Sequence, residues 1–493
     1  MSKTFVDAMK QEQNWKKTEN NADALLSSES DVLDLFSTGG VLRGRTPEDI
    51  QVKVSRAWDE DPEKTLKTLF YLRDIRGGQG ERRTFKIAMK HLANIQKTKI
   101  KHLLPLIGEI YGRWDDLYTF VGTPLEKDAL DTLKSQFEKD LKNLRKGEEV
   151  SLVGKWLKGL GSKNESLGLA IKTRKHFGLT NAEYRKNLKL LREKIKLIET
   201  QLSEKETEGI DFEKVPSLAM QKYRNAFAKL EPEKFEKYLE SVEKGEKKIN
   251  ASALFPYDPV RKMLGNGKQP RHDAVAEAQW KALPDYVKGE NSAIAVVDIS
   301  ESMTWAAQQT VRPLDISISL GIYLAERNHG PFKNKLITFS ANPKFVELKG
   351  ETLYEKISEI PTYYENTDIE KVMDLILKVA TEHNLDQEQL PKSIVLISDM
   401  EFDEGSSNHR QTYQELFVEK FKNAGYKAPI VVYWNANARN DTFHTRKDSK
   451  NTILVGGASP SIMQSVLSVF EGKTPYDFML EIIMSERYEP VKL

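Results

Sequence analysis

The chain has no cysteine among its 493 residues. Disulfides, thiolate nucleophiles and cysteine-based zinc sites are therefore excluded. It has no apolar run of about 18 residues, the length a helix needs to cross a bilayer, so no membrane-spanning helix is expected. The start, Met1-Ser2-Lys3-Thr4-Phe5, carries no apolar h-region, so no secretory leader is expected. With the lack of cysteine, this favours a reducing cytoplasm. The 8 histidines are scattered and form no His-x-x-x-His pair, which argues against a zinc hydrolase. Neither Gly-x-x-x-x-Gly-Lys-[Ser/Thr] nor Gly-x-Ser-x-Gly occurs, so the usual signatures of nucleotide hydrolysis and of serine hydrolases are both missing. The composition is 39% hydrophobic and 30% charged. It describes a well-solvated globular protein long enough for roughly two to four domains.

The C-terminal part supplies the strongest chemical signal. Ala293-Ile294-Ala295-Val296-Val297 reads as a buried, parallel β-strand. It runs into Asp298-Ile299-Ser300-Glu301-Ser302. Alternate residues of an extended segment share a side, so Asp298, Ser300 and Ser302 converge. In an open α/β sheet the C-terminal edge of the strands is where ligands bind. One carboxylate and two hydroxyls form a hard-oxygen set suited to Mg²⁺ or Mn²⁺. The same pattern also serves as a helix N-cap after a strand. Further strands are expected at 335–340, 393–398, 429–434 and 452–455, the second of these ending in another carboxylate, Asp399. Amphipathic segments at 311–328, 368–384, 411–424 and 459–471 alternate with them, the pattern of a doubly wound α/β domain. Asn366-Thr367-Asp368 adds a loop hydroxyl.

The first 260 residues read as all-helical. Thr46-Pro47 and Asp61-Pro62 are N-cap and N1 signals. Phe85, Met89, Leu92 and Ile95 recur on one face, as do Leu103, Ile107 and Ile110. A longer helix is expected over 181–206 with a core stripe of Leu188, Leu191, Ile195, Ile198 and Leu202. Successive short amphipathic helices point to a helical-repeat array with a concave surface. The net charge of +2 hides clustering: residues 64–101 hold 11 Lys/Arg against Asp74 and Glu81, and residues 151–200 hold 12 against four acids. Arg73, Arg76, Arg82 and Arg83 surround a glycine-rich loop, and Arg174 and Lys175 precede Phe177. Such cations beside aromatic residues suit the phosphates and bases of single-stranded nucleic acid. The competing reading pairs Arg73 and Arg76 with Asp74, Glu81 or Asp115 as braces between helices.

Two resemblances follow from these motifs. Residues 291–475 resemble a von Willebrand factor A domain. Its metal-ion-dependent adhesion site maps onto Asp298, Ser300, Ser302, Thr367 and Asp399. That resemblance implies metal contacts from Ser300, Ser302 and Thr367, with both aspartates acting directly or through water. It also implies a coordination position left open for the carboxylate of a protein partner. Glu301 stands where the family often has glycine and brings an extra negative charge. Four segments, in order, resemble the DUF2828 family: Leu35-Phe36-Ser37-Thr38-Gly39-Gly40, the arginine-rich loop 73–83, Tyr111-Gly112-Arg113-Trp114-Asp115-Asp116-Leu117 and Lys247-Lys248-Ile249-Asn250-Ala251-Ser252. The layout is similar to the Ro/TROVE proteins, which join HEAT-like repeats to such a domain. This implies binding of structured or misfolded small RNA by a basic helical ring. The leading expectation is a non-enzymatic RNA-binding or scaffold protein, with small or single-stranded RNA as its partner. The other reading is a protein-interaction scaffold, of phage or virion origin, without nucleic acid. The expected division is an N-terminal segment 1–30, a helical domain 31–270, the α/β domain 291–475 and a tail 476–493. The tail is expected to return to the helical part. Gly265-Asn266-Gly267 is expected near the junction, with first proteolysis at 262–275 or 203–212.

Overall fold

The computed structural model describes residues 5–204, 207–265, 269–287, 292–305, 311–339, 342–361, 367–405, 410–469 and 471–493. Ser340, Asn366, Asn266 and Gly267 lie outside the described residues. The chain divides into two compact units. One comprises residues 1–68, 77–79 and 254–489, the other residues 69–76, 80–253 and 490–493. Helices at 31–68 and 254–264, expected within the helical array, thus cluster with the α/β part.

The α/β unit is built on six strands: β3 (Ala293–Asp298), β4 (Lys335–Phe339), β5 (Lys344–Glu347), β6 (Ser393–Ser398), β7 (Ile430–Asn435) and β8 (Thr452–Gly456). Their order is β5-β4-β3-β6-β7-β8. Every pairing is parallel except β4 with β5. Every residue of β3, β6, β7 and β8 is buried, which is why these strands read as unbroken apolar runs. Strand β5, Lys-Phe-Val-Glu, is short, charged and at the edge, and its sequence gives no such run. Helices Pro313–Arg327, Ile369–Glu382 and Tyr413–Asn423 fill the connections. The last expected helix shrinks to a turn at Pro460–Ile462 followed by Met463–Leu467. The strand order reverses between β3 and β6, so the ends of these two parallel neighbours form the crevice at which such sheets bind ligands.

An all-helical N-terminus is corrected by a hairpin, β1 (Trp15–Lys17) with β2 (Asp23–Leu25), paired antiparallel. It belongs to the α/β unit and bridges to Asp403 through Asn21 and to Phe443 through Leu25. Ser30 caps helix Asp31–Thr38 by accepting from Leu33 N–H, and this helix packs on β8. The approach is so close that a Cβ on Gly456 would lie 2.1 Å from the Ser37 carbonyl oxygen. A Cβ on Gly457, at φ +112, would lie 1.9 Å from Gln79 Oε1.

The second unit is helical. It includes Arg83–Ile95, Glu126–Arg145, Glu165–Phe177, Asn181–Lys194, Ser217–Leu230 and Pro232–Glu243. Phe85, Ala88, Met89 and Leu92 are the buried face of the first. Edge-to-face contacts of Phe70 with Phe85 and Tyr111, at 5.6 and 5.2 Å, tie that helix to the next segment. The helix expected over 181–206 stops at Lys194, Lys196 turns with φ +47, and a new helix starts at Ile198. Leu188, Leu191 and Ile198 are buried as the stripe required. Pro490–Leu493 clusters with this unit, and the Lys492 carbonyl meets His102 Nε2 at 2.9 Å.

Candidate metal site and cationic cluster

Strand β3 delivers Asp298 to the crevice fully buried, and the turn after it folds Ser300 and Ser302 back beside it. Asp298 Oδ1 accepts from Ser300 N–H at 2.9 Å, and Asp298 Oδ2 accepts from the Ser398 hydroxyl at 2.5 Å. The Ser300 and Ser302 hydroxyl oxygens are 3.1 Å apart. Asp399, from the end of β6, is buried and hydrogen-bonded by Ser302. Asp298, Ser300, Ser302 and Asp399 are therefore one cluster. Burial, then the neighbouring Asp399 carboxylate, pushes Asp298 up to about 7. Burial also raises Asp399, against the opposing pull of Arg439.

Arg439 Nη2 lies 3.0 Å from Asp399 Oδ2, but no donor is aligned on that buried oxygen for a hydrogen bond. No Lys or Arg among the described residues forms an ion pair with Asp298. Of the two buried carboxylates beside the hydroxyls, only Asp399 has a guanidinium, and Arg439 also pairs with Glu19. This donor set fits a hard divalent cation, whose charge would compensate both acids. No group of three or more His, Cys, Asp or Glu able to hold a metal occurs among the described residues, so any such site depends on the hydroxyls.

Thr367 is buried but makes no hydrogen bond to this cluster. Its hydroxyl lies 2.9 Å from Asp403 Oδ1 and 3.1 Å from the Glu401 carbonyl, and it accepts from Asn20 Nδ2 at 2.9 Å. Asn20 belongs to the β1–β2 hairpin, and its neighbour Glu19 pairs with Arg439 at 2.9 Å. Glu401 is buried, accepting from Glu19 N–H at 2.8 Å and the Thr442 hydroxyl at 2.7 Å. Sequence reading missed Ser398, Glu401, Asp403, Arg439 and Asn20. The alternation Asp399-Met400-Glu401-Phe402-Asp403 signalled the acids. Nothing local signalled Asn20, because its partners are more than 300 residues away. Glu301 is exposed.

The arginine-rich loop divides in the structure. Arg73 is 1% exposed and is held by Asp116 Oδ2, from Nε at 2.8 Å and Nη2 at 2.6 Å. It is a buried brace and is not presented to a phosphate. Arg82 spans both acids, to Asp116 Oδ1 at 2.8 Å and Asp115 Oδ2 at 2.6 Å. These partners hold both aspartates below the usual carboxylate range in spite of burial. Gly77 to Gln79 cluster with the α/β unit, where the Gly78 carbonyl accepts from Ser461. Arg76 is exposed and Arg83 half-buried. Arg174 Nη1 donates to the Leu179 carbonyl at 2.7 Å, closing its helix, and Lys175 is exposed.

Residues 18–130 and 160–292 match the family model described as Domain of unknown function (DUF2828). These two stretches contain all four of the segments that resemble that family. Residues 292–482 match a second model, Domain of unknown function (DUF7788), whose start coincides with β3. A relative, "Uncharacterized protein L728" of Acanthamoeba polyphaga mimivirus, is 27% identical over 516 residues, covering 96% of this chain and 88% of its own. No helix among the described residues is long and apolar enough to cross a membrane.

Proposed function

We propose that this chain is a non-enzymatic RNA-binding or scaffold protein of Ro-like layout. A HEAT-like helical region would contact RNA, and a von Willebrand factor A-type domain would hold Mg²⁺ or Mn²⁺. The observation that carries the domain reading is the convergence of Asp298, Ser300, Ser302 and Asp399 where the sheet's strand order reverses. The single antiparallel edge strand β5 supports it as well. The cluster would hold the cation through its hydroxyls and carboxylates. Thr367 would join after giving up Asn20 or Asp403. The bound cation supplies Lewis acidity toward an oxygen ligand, and the reading assigns that ligand to a partner's carboxylate. The uptake of Arg73 and Arg82 by Asp115 and Asp116 favours the second reading, a protein-interaction scaffold without nucleic acid.

Calorimetric titration of the full chain with Mn²⁺ tests the domain reading. One site is expected in the parent, and none in Asp298→Ala with its helical circular dichroism retained. Unchanged Mn²⁺ binding in that variant would remove the site assignment. Absorbance ratio before and after nuclease treatment separates the RNA reading from the scaffold reading.

A further inference from the structure

The motif Tyr111-Gly112-Arg113-Trp114-Asp115-Asp116-Leu117 stands at the centre of a cluster of cations. Within ion-pair distance of the buried carboxylates of Asp115 and Asp116 lie Arg73, Arg82, Lys86, Arg113 and Lys158. Five cations thus gather around two acids in one place of the helical unit. Arg73 is enclosed, but the side chains of Arg82, Lys86, Arg113 and Lys158 are 36%, 30%, 28% and 29% exposed. These four cations are therefore partly open to solvent.

The four accessible cations differ in how they are held. Arg113 is bidentate on Asp115, with Nε and Nη2 each at 2.9 Å, and its guanidinium lies 3.7 Å over the Trp156 ring. Its plane is fixed on two sides, which leaves Nη1 to point elsewhere. Arg82 is fixed by the pair of acids. Lys86 and Lys158 stand farther off, at 3.6 and 3.8 Å from Asp116 and Asp115. Those distances are Coulombic contact without a hydrogen bond. Their ammonium protons remain to be given to another acceptor. Burial, then the Arg82 charge, holds Lys86 below the usual lysine range, which an incoming anion would relieve. A pre-ordered group of guanidinium and ammonium donors is the chemistry of phosphate recognition.

We infer that Arg82, Lys86, Arg113 and Lys158 form a binding site for consecutive phosphates, occupied by the backbone of single-stranded RNA. This moves the phosphate contacts from the glycine-rich loop to the solvent side of the Asp115–Asp116 pair. The inference rests on the RNA-binding reading above.

The test is Lys86→Gln with Lys158→Gln in the full chain. Neither ammonium is hydrogen-bonded to the acids, so the arginine–aspartate network and the fold stay in place, as thermal melting checks. The probe is a fluorescent oligouridylate titrated at several salt concentrations, with inorganic tripolyphosphate as competitor. The expected result is binding that weakens with salt, with the log–log slope flattened by roughly 1.4 in the double variant for two lost contacts to a single strand. Competition by tripolyphosphate at millimolar concentration is also expected. RNA binding with an unaltered slope would overturn the site and leave the RNA reading standing. Tripolyphosphate binding that is lost in the variant, without RNA binding at low salt, would overturn the RNA occupant and keep a site for free polyphosphate. Absence of both would overturn site and reading together.

Discussion

Replacing Asp298 by asparagine separates the two things a buried carboxylate can be: a structural acceptor or a charge held for a cation. The side chain is fully buried, accepts from Ser300 N–H and Ser398, and has its neutral form favoured up to about pH 7. A rise from 3.8 to about 7 corresponds to about 4 kcal/mol between the charged and neutral forms. Asparagine keeps the shape and can accept from Ser300 through Oδ1, while its amide meets the Ser398 oxygen. Asp298→Asn is therefore expected to raise stability by about 2–4 kcal/mol at pH 8 in a chelator, where the parent carries the buried charge. The sign follows from the raised folded-state pKa. The penalty is fully present above about pH 7 and fades as pH falls. It vanishes below the unfolded value near 4, so at pH 4 the two proteins should melt alike. With Mg²⁺ added at pH 8 the order should narrow or invert, because only the parent gains binding energy. Urea denaturation at both pH values, with chelator and with Mg²⁺, checks this. A variant equally destabilised at pH 8 and pH 4, and insensitive to Mg²⁺ to the same degree as the parent, would refute the reasoning.

Gly456→Ala should cost roughly 3 kcal/mol or more, since its Cβ would lie 2.1 Å from the Ser37 carbonyl oxygen and backbone must move. Gly425→Ala in the same unit, at φ +82 with open space around it, should cost only about 1 kcal/mol; denaturant midpoints compare the two. Asp34, fully buried and raised to about 6 by desolvation, gives a second pH signature. Asp34→Asn should stabilise by up to about 3 kcal/mol above pH 6, with the gain lost toward pH 4. His444, buried and lowered to about 4, acts oppositely. Its unfolded form takes up a proton first, so His444 withdraws stability as pH falls from about 6.5 toward 4, measurable by loss of that slope in His444→Phe.

Where the chain is buried on both faces, the sequence was legible. Strands β3, β6, β7 and β8 are buried throughout, with apolar interiors, and were located to within a residue or so. Thr46 and Asp61 cap their helices as their Thr-Pro and Asp-Pro spellings require. The short strands β1, β2 and β5 were missed because three or four residues with charged side chains carry no periodicity. Asp298, Ser300, Ser302 and Asp399 were readable because each follows a strong strand. Asn20 and Arg439 were not, since contact across several hundred residues leaves no local trace. In the loop 73–83 the burial of Arg73 was not legible, because its acceptor, Asp116, lies in another segment of the chain.

The hairpin also sets an order of events during synthesis. The Thr18 hydroxyl donates to the Phe402 carbonyl across 384 residues, and Leu25 exchanges backbone hydrogen bonds with Phe443. The helical stretch 80–253 lies between these partners in the chain. It leaves the ribosome as a nearly complete folding unit, while the β1–β2 hairpin still lacks the segments around Phe402 and Phe443 that it meets in the fold. The α/β sheet closes last, and the hairpin must stay undocked and soluble through most of translation. A fragment started at residue 291 would have every strand of the large sheet. It would nonetheless expose the face of β8 that helix Asp31–Thr38 covers and leave Glu401 without Glu19, so it should be less soluble than the whole chain.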